Sequence, residues 1–174
     1  MPNQNNQSFN VKFTLIHKPQ YAHATYFENK ILPKSQLETT WGNFCKVLKD
    51  SARIYEEKEV APLLITVTWK QENFESACDN HGSPILVDEK PVPRRCRANI
   101  KDWHMLPIDI DDQLTIEAAK EHFREYEHVG YTTFNHTPNN HKFRLFIPLS
   151  KPISDAEFRL RTNSIKEFIG CADL

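Results

Sequence analysis

A chain of 174 residues with 39 % hydrophobic and 11 % aromatic content makes one domain whose core can form without metals or disulfides, and 22 basic against 23 acidic residues give no global field toward nucleic acid or membrane. The four glycines, Gly42, Gly82, Gly130 and Gly170, are scattered singly, which excludes the phosphate-cradling loops of Walker-type NTPases, Rossmann dinucleotide binders and Gly-loop kinases, and the serine nucleophile elbow. No apolar run approaches the roughly 20 residues of a bilayer span; the Asn/Gln-rich start has no signal-peptide character, and four cysteines without such a signal are expected as free thiols in a reducing cytoplasm.

In chain order, residues 1–10 are expected to be a disordered tail. Val11–Ile16 is β-rich and predicts a first strand. Trp41, Phe44, Cys45 and Leu48 recur at helical spacing and predict an amphipathic helix from Thr40 to about Ile54. Leu63–Trp69 follows Pro62 as a short, β-branched, buried strand. Gln71 to Lys101 is irregular. Met105–Ile110 predicts the next strand, and Ile116, Ala119, Phe123 and Tyr126 a helix opened by Thr115. Strands follow at Val129–Phe134 and Phe143–Leu149, joined over the turn-prone Pro138-Asn139-Asn140. Ser154 and Glu157 predict a capping box for a last helix carrying Phe158, Ile165, Phe168 and Ile169. From residue 104 the order is strand, helix, strand, strand, helix, an antiparallel or mixed α+β sheet of RNA-recognition-motif type. It needs one more strand, either after residue 174 or from the first part of the chain.

The chemistry must come from carboxylates, histidines and basic residues. Asp109 and Asp111 stand at i and i+2 on a strand, hence on one face and roughly 7 Å apart. Carboxylates so placed repel one another unless a cation lies between them, and hard oxygen donors favour Mg²⁺ or Mn²⁺. On this basis Asp109→Ala should leave stability level or raise it. The alternative is a solvated acidic turn before a helix. An EF-hand is excluded, because Leu114 and Lys120 fall where glycine and glutamate are needed. At the end of the next strand, Thr133, Asn135 and His136 lie where a triphosphate or nucleophile would be oriented, or simply on the surface. Lys142 and Arg144 share a strand face suited to phosphate, or to solvent. Arg94, Arg95, Arg97 and Lys101 make a local anion-binding patch suited to DNA, with Trp103 as a stacking surface for a base, or an ordinary solvated loop. Cys78, His81, Cys96 and His104 are a weak zinc set without a second tight pair.

In combination these residues resemble the archaeo-eukaryotic primase superfamily, in particular the primase-polymerase-like domains of phage, prophage and plasmid replication proteins. The resemblance rests on RRCRANI, MLPIDIDD, YTTFNHT and HKFRLFIPLSKPIS, in that order, and covers residues 94 to about 173. It implies a primase-polymerase-like fold, with an N-terminal αβ part over 11–103 and an RNA-recognition-motif-like catalytic core over 104–174 that the chain's end cuts short. It implies template-directed nucleotidyl transfer with Mg²⁺ or Mn²⁺ held by Asp109, Asp111 and Asp173. His136, with Thr133 or Asn135 beside it, would contact the nucleotide phosphates, and Arg144 with Lys142 would neutralise triphosphate or template. Phe134 departs from the small hydroxyl residue that the family often has there. The implied partners are a DNA template and primer, nucleoside triphosphates and a replicative helicase. Three rivals remain: a non-catalytic single-stranded DNA or nucleotide-binding module, a metal-dependent nuclease, and a ferredoxin-like interaction module without a site.

Overall fold

The computed structural model describes residues 10–16, 36–52, 63–79, 81–111 and 114–169. The first strand, β1 (Asn10–Ile16), lies between β2 (Leu37–Thr40) and β3 (Leu63–Ile65), antiparallel to both. Thr40 then turns the chain into α1 (Trp41–Asp50), its hydroxyl accepting the Asn43 N–H at 3.3 Å, as an N-cap does. The helix stops at Asp50 with Ser51 as its C-cap; Ile54, where its end was expected, lies outside the described residues. Trp41 and Phe44 form the buried face of α1.

The run 63–69 is not one strand. It divides at Thr66, where β3 ends and β4 (Val67–Trp69) begins in a second sheet. Ile65 to Trp69 are all buried, so the run carries no inside–outside alternation that could have shown which sheet it joins. The expected irregular stretch that follows contains a two-residue hairpin, β5 (Leu86–Val87) and β6 (Lys90–Pro91). Its turn residues Asp88 and Glu89 have φ of 50° and 63°, the backbone that matches strand twist in a tight hairpin. The Asn99 side chain fastens this arm. Asn99 is buried; its Oδ1 accepts the Glu75 N–H at 2.7 Å, and its Nδ2 donates to the carbonyls of Glu75 at 2.8 Å and Arg94 at 2.7 Å.

The remainder is β7 (Ile100–Asp111), α2 (Ile116–His122), β8 (Val129–Thr132), β9 (Lys142–Ser154), α3 (Asp155–Leu160) and α4 (Thr162–Ile169). Thr115 caps α2 by accepting the Ala118 N–H, and Ser154 caps α3 by accepting that of Glu157. The helix expected to reach Tyr126 ends at His122, and the last helix is two helices joined at Arg161. The second sheet has the order β4-β7-β9-β8, with each neighbouring pair antiparallel. Strand β9 therefore separates β7 from β8, which α2 connects, as in a split βαβ unit. The fourth place is taken by β4, from the earlier part of the chain. The fold is thus α+β with an antiparallel sheet; no helix among the described residues is long and apolar enough to cross a membrane.

Period-two alternation distributes the core over both faces. Leu106, Ile108 and Ile110 of β7 and Phe143, Leu145 and Ile147 of β9 pack against Ala119, Phe123 and Phe158 beneath the helices. On the opposite face, Met105 and Phe146 meet Val11, Phe13, Trp41 and Phe44. Among the described residues the first sheet and α1 cover that end, and toward residue 111 the face is open: Asp109 is half-buried and Asp111 exposed. Gly130 of β8 leaves no room for a side chain, since a Cβ there would lie 2.7 Å from the Arg144 carbonyl oxygen and 3.2 Å from Leu145 Cδ1. Gly130→Ala is expected to cost about 1–3 kcal/mol, read as a lower urea midpoint; a midpoint equal to the parent's would show that β8 shifts without strain.

Candidate active site on the open sheet face

Asp109 and Asp111 project from the same face of β7, as two-residue spacing requires. Their register partners on β9 are Arg144 and Lys142. The Lys142 carbonyl accepts the Thr133 N–H at 2.9 Å and the Lys142 N–H donates to His136 Nδ1 at 3.2 Å. With both main-chain groups turned toward the β8 side, Lys142 and Arg144 face β7 in non-hydrogen-bonded pairs, where cross-strand side chains come closest. Arg144 Nη2 accordingly donates to Asp109 Oδ2, and Lys142 Nζ lies 3.5 Å from Asp111 Oδ1. Burial works against the Arg144 charge, but the Asp109 carboxylate and the neighbouring Tyr131 hydroxyl outweigh it and hold the guanidinium above its ordinary range. Each carboxylate therefore has a cation beside it. This corrects the expectation that removing Asp109 relieves repulsion, because the dominant neighbour of that carboxylate is a guanidinium.

His136 lies in the hairpin loop, whose tip is closed by reciprocal bonds between Thr137 and Asn140 at 2.9 and 3.1 Å. Because its Nδ1 accepts from Lys142, the ring proton of the neutral form sits on Nε2. The His141 ring stands 5.5 Å away, near perpendicular, with its own Nδ1 accepting the Ile116 N–H at the start of α2. Lys142 thus joins the two halves of the motif: its amide holds His136, and its ammonium meets Asp111. Thr133 serves the hairpin, bonding the Lys142 carbonyl, and Asn135 is exposed in the turn.

A cleft of about 370 Å³ opens beside Asp109, walled by Trp69, Trp103 and Phe146 and rimmed by Arg95 and Arg144. Asp111, Lys142 and His136 are not part of its wall. The expected basic cluster is dispersed. Arg95 reaches this cleft, Arg97 pairs with Asp155 at 3.3 Å, Lys101 lies 3.9 Å from Asp102, and Arg94 is exposed. Trp103 is less available for stacking than expected, since it stacks on Phe158 at 4.0 Å and donates to Asp155 Oδ1 at 3.2 Å. Sequence assigned no site role to Tyr131 or Trp69; Tyr131 is opposite Arg144 across the β8–β9 ladder, a pairing that no local pattern reveals.

Two hard carboxylates on one face suit a divalent ion by donor chemistry. Among the described residues no third acid or histidine joins them, and Asp173 lies outside those residues. The zinc set is not assembled: Cys78 donates to the Ser76 carbonyl, Cys96 to Glu75 Oε2, and His104 is buried in β7. Burial pushes the His104 imidazole down, against the opposing pull of the Asn10 backbone, Asp102 and Glu38 and with the help of Lys12. A histidine held neutral in the fold adds stability above its unfolded pKa, about 6.5, and loses it as pH falls through that value. Urea unfolding should therefore show a lower stability at pH 5.5 than at 7.5, a difference that His104→Phe reduces; an identical fall in the variant would assign the slope to other groups. Compared with protein-family models, curated proteins and solved structures, the chain finds no match.

Proposed function

We propose that the protein is a primase-polymerase, catalysing template-directed nucleotidyl transfer in the cytoplasmic replication of a phage, plasmid or other mobile element. The observation that carries this reading is the placement of Asp109 and Asp111 on one open strand face, with Arg144 and Lys142 in register opposite them. Asp109 and Asp111 would hold Mg²⁺ or Mn²⁺, which supplies activation of a primer 3′-hydroxyl and charge neutralisation of the pyrophosphate leaving group. The chain's own groups do the rest. Arg144 and Lys142 bind carboxylates in the free protein and are the groups that a triphosphate would draw to its oxygens. His136 offers its Nε2–H to a phosphate oxygen, oriented by the Lys142 amide. Arg95 and the walls of Trp69 and Phe146 receive the remainder of the nucleotide.

The same ion pairs favour a second reading, a nucleotide- or single-stranded-DNA-binding module in which the acids only balance the cations. A primed template with deoxynucleoside triphosphates and Mn²⁺ separates the two. The catalytic reading expects extended primer and nucleotide binding that strengthens with metal. Metal-independent binding without extension would replace it by the binding module, and DNA breakdown without triphosphates would replace it by a nuclease. A helicase partner belongs to the catalytic reading alone.

A further inference from the structure

Two neighbouring rungs of the β7–β9 ladder carry four charges on one face. Asp109 stands opposite Arg144, and Asp111 opposite Lys142. Along each strand like charges are neighbours, roughly 7 Å apart, whereas across the strands opposite charges meet with Cβ atoms about 4.5–5.5 Å apart. An acidic row on β7 thus runs beside a basic row on β9. Each rung is closed by an ion pair, Arg144 Nη2 with Asp109 Oδ2 and Lys142 Nζ with Asp111 Oδ1 at 3.5 Å. Water reaches both pairs: the two carboxylate side chains are 42 % and 66 % exposed, and those of Arg144 and Lys142 are 32 % and 23 % exposed.

The quartet has no net charge, since its two carboxylates and two cations cancel. A divalent cation arriving alone must take Asp109 and Asp111 from their partners and then lie beside two uncompensated positive charges. A polyphosphate arriving alone at the basic row meets the mirror image of that difficulty. The rows together suit a ligand that is itself an ion pair, positive over β7 and negative over β9. Arg144 and Lys142 then exchange a carboxylate for a phosphate oxygen, and the carboxylates exchange a side-chain cation for the metal. We propose that the site takes a divalent metal and a polyphosphate as one chelated unit and holds either ion alone weakly, with Arg144 and Lys142 as resident counter-ions that oppose the metal until the anion draws them away. Coupling of this kind is reciprocal: what the anion adds to metal affinity, the metal adds to anion affinity. Two partly exposed ion pairs set it at about five- to thirtyfold. The identity of the anion as a nucleoside triphosphate rests on the nucleotidyl-transfer reading; the charge pattern does not.

Calorimetry tests this with three titrants: Mn²⁺ alone, inorganic triphosphate in EDTA, and the preformed Mn²⁺–triphosphate chelate. The parent should bind the chelate at least fivefold more tightly than triphosphate alone; equal affinities would overturn the coupling. Arg144→Gln should move two affinities in opposite directions. Mn²⁺ alone should bind about two- to fivefold more tightly, because Asp109 no longer has to leave a guanidinium, and the chelate should bind more weakly. Lys142→Gln should do the same through the second rung, and decides the matter if Arg144→Gln proves unfolded in a thermal melt. Lys151→Gln removes an equal charge from the exposed far part of β9 and should match the parent in all three titrations. A Mn²⁺ affinity that rises in neither rung variant would overturn the proposal, and so would an equal rise in Lys151→Gln, which would assign the effect to net charge. Primer extension is read separately. Opposed shifts in a protein that never extends a primer would remove the catalytic reading and leave the coupled site standing; extension by the parent, with Mn²⁺ affinity unchanged in both rung variants, would do the reverse.

Discussion

Asp109→Ala is expected to reduce primer extension by about a thousandfold or more, the scale on which removal of a group that stabilises transition-state charge is felt. The same substitution should abolish any rise in melting temperature that millimolar Mn²⁺ produces in the parent. Its effect on the free protein is the more discriminating result. Asp109 is held by Arg144, which is half-buried and has Tyr131 as its other neighbour. Deleting the carboxylate strips that guanidinium of its charge partner, so the variant should lose about 0.5–1 kcal/mol, the range of a partly exposed ion pair. Asp109→Asn keeps the shape and separates charge from volume. A catalytic Asp109 requires lost extension and lost metal response in both variants. Extension that survives either substitution, or an unchanged metal response, would leave the Asp109–Arg144 pair as a strut between β7 and β9.

Phe146→Ala carries the largest expected loss of stability, about 3–5 kcal/mol, or roughly 10 °C in Tm for a domain of this size. Phe146 is on the same face of β9 as Arg144 and, with Met105, ties the two sheets together. It is 1 % exposed, its ring lies 6.0 Å from Phe44 of α1 and 5.9 Å from Tyr131 of β8, and it packs in one cluster with Val11 and Phe13 of the first sheet. Truncation would open a void that three separate elements cannot close together. It would also loosen the cleft beside Asp109, one wall of which is Phe146. Phe146→Leu, which retains most of the volume, should recover much of the loss. Denaturant unfolding decides it: a cost near 1 kcal/mol for the alanine variant would mean that the sheets are held elsewhere.

Much of this arrangement could be read before folding, because it depends on period alone. Alternation in Phe143, Leu145 and Ile147 against Lys142, Arg144 and Phe146 placed the cations of β9 on one face, and two-residue spacing did the same for Asp109 and Asp111. The caps at Thr40, Thr115 and Ser154 were legible as hydroxyl residues ahead of helical patterns. What sequence could not convey was register. Nothing local says that Arg144 falls opposite Asp109, and so the acids looked like a repelling pair in want of a metal when each has a cation across the strand. The division at Thr66 was hidden for a related reason: a run buried on both sides has no polar face to show where one sheet ends. The basic loop read as a patch because four charges are near in sequence; Asn99 and Asp155 send their backbones and side chains to different places.

The Asn99 amide has a further consequence for how the molecule breathes. Among the described residues, the arm that it fastens has a hydrophobic cluster of Ala77 and Val92 with Ile85 against them, and is stitched by main-chain bonds such as Ala77 N–H to the Val92 carbonyl and Ile85 N–H to the Ala77 carbonyl. So small a cluster stores little free energy, whereas the β7–β9 pair is sandwiched between two cores. Segments of this kind open as a unit while the rest of a protein stays closed. Amide hydrogens at Ala77, Ile85 and Val92 should then exchange with deuterium well before those of Ile108 and Leu145, and limited proteolysis should cut within 81–90 before it cuts within β7 or β9, releasing Arg95 and the adjoining cleft edge from their anchorage while the paired aspartates keep their place.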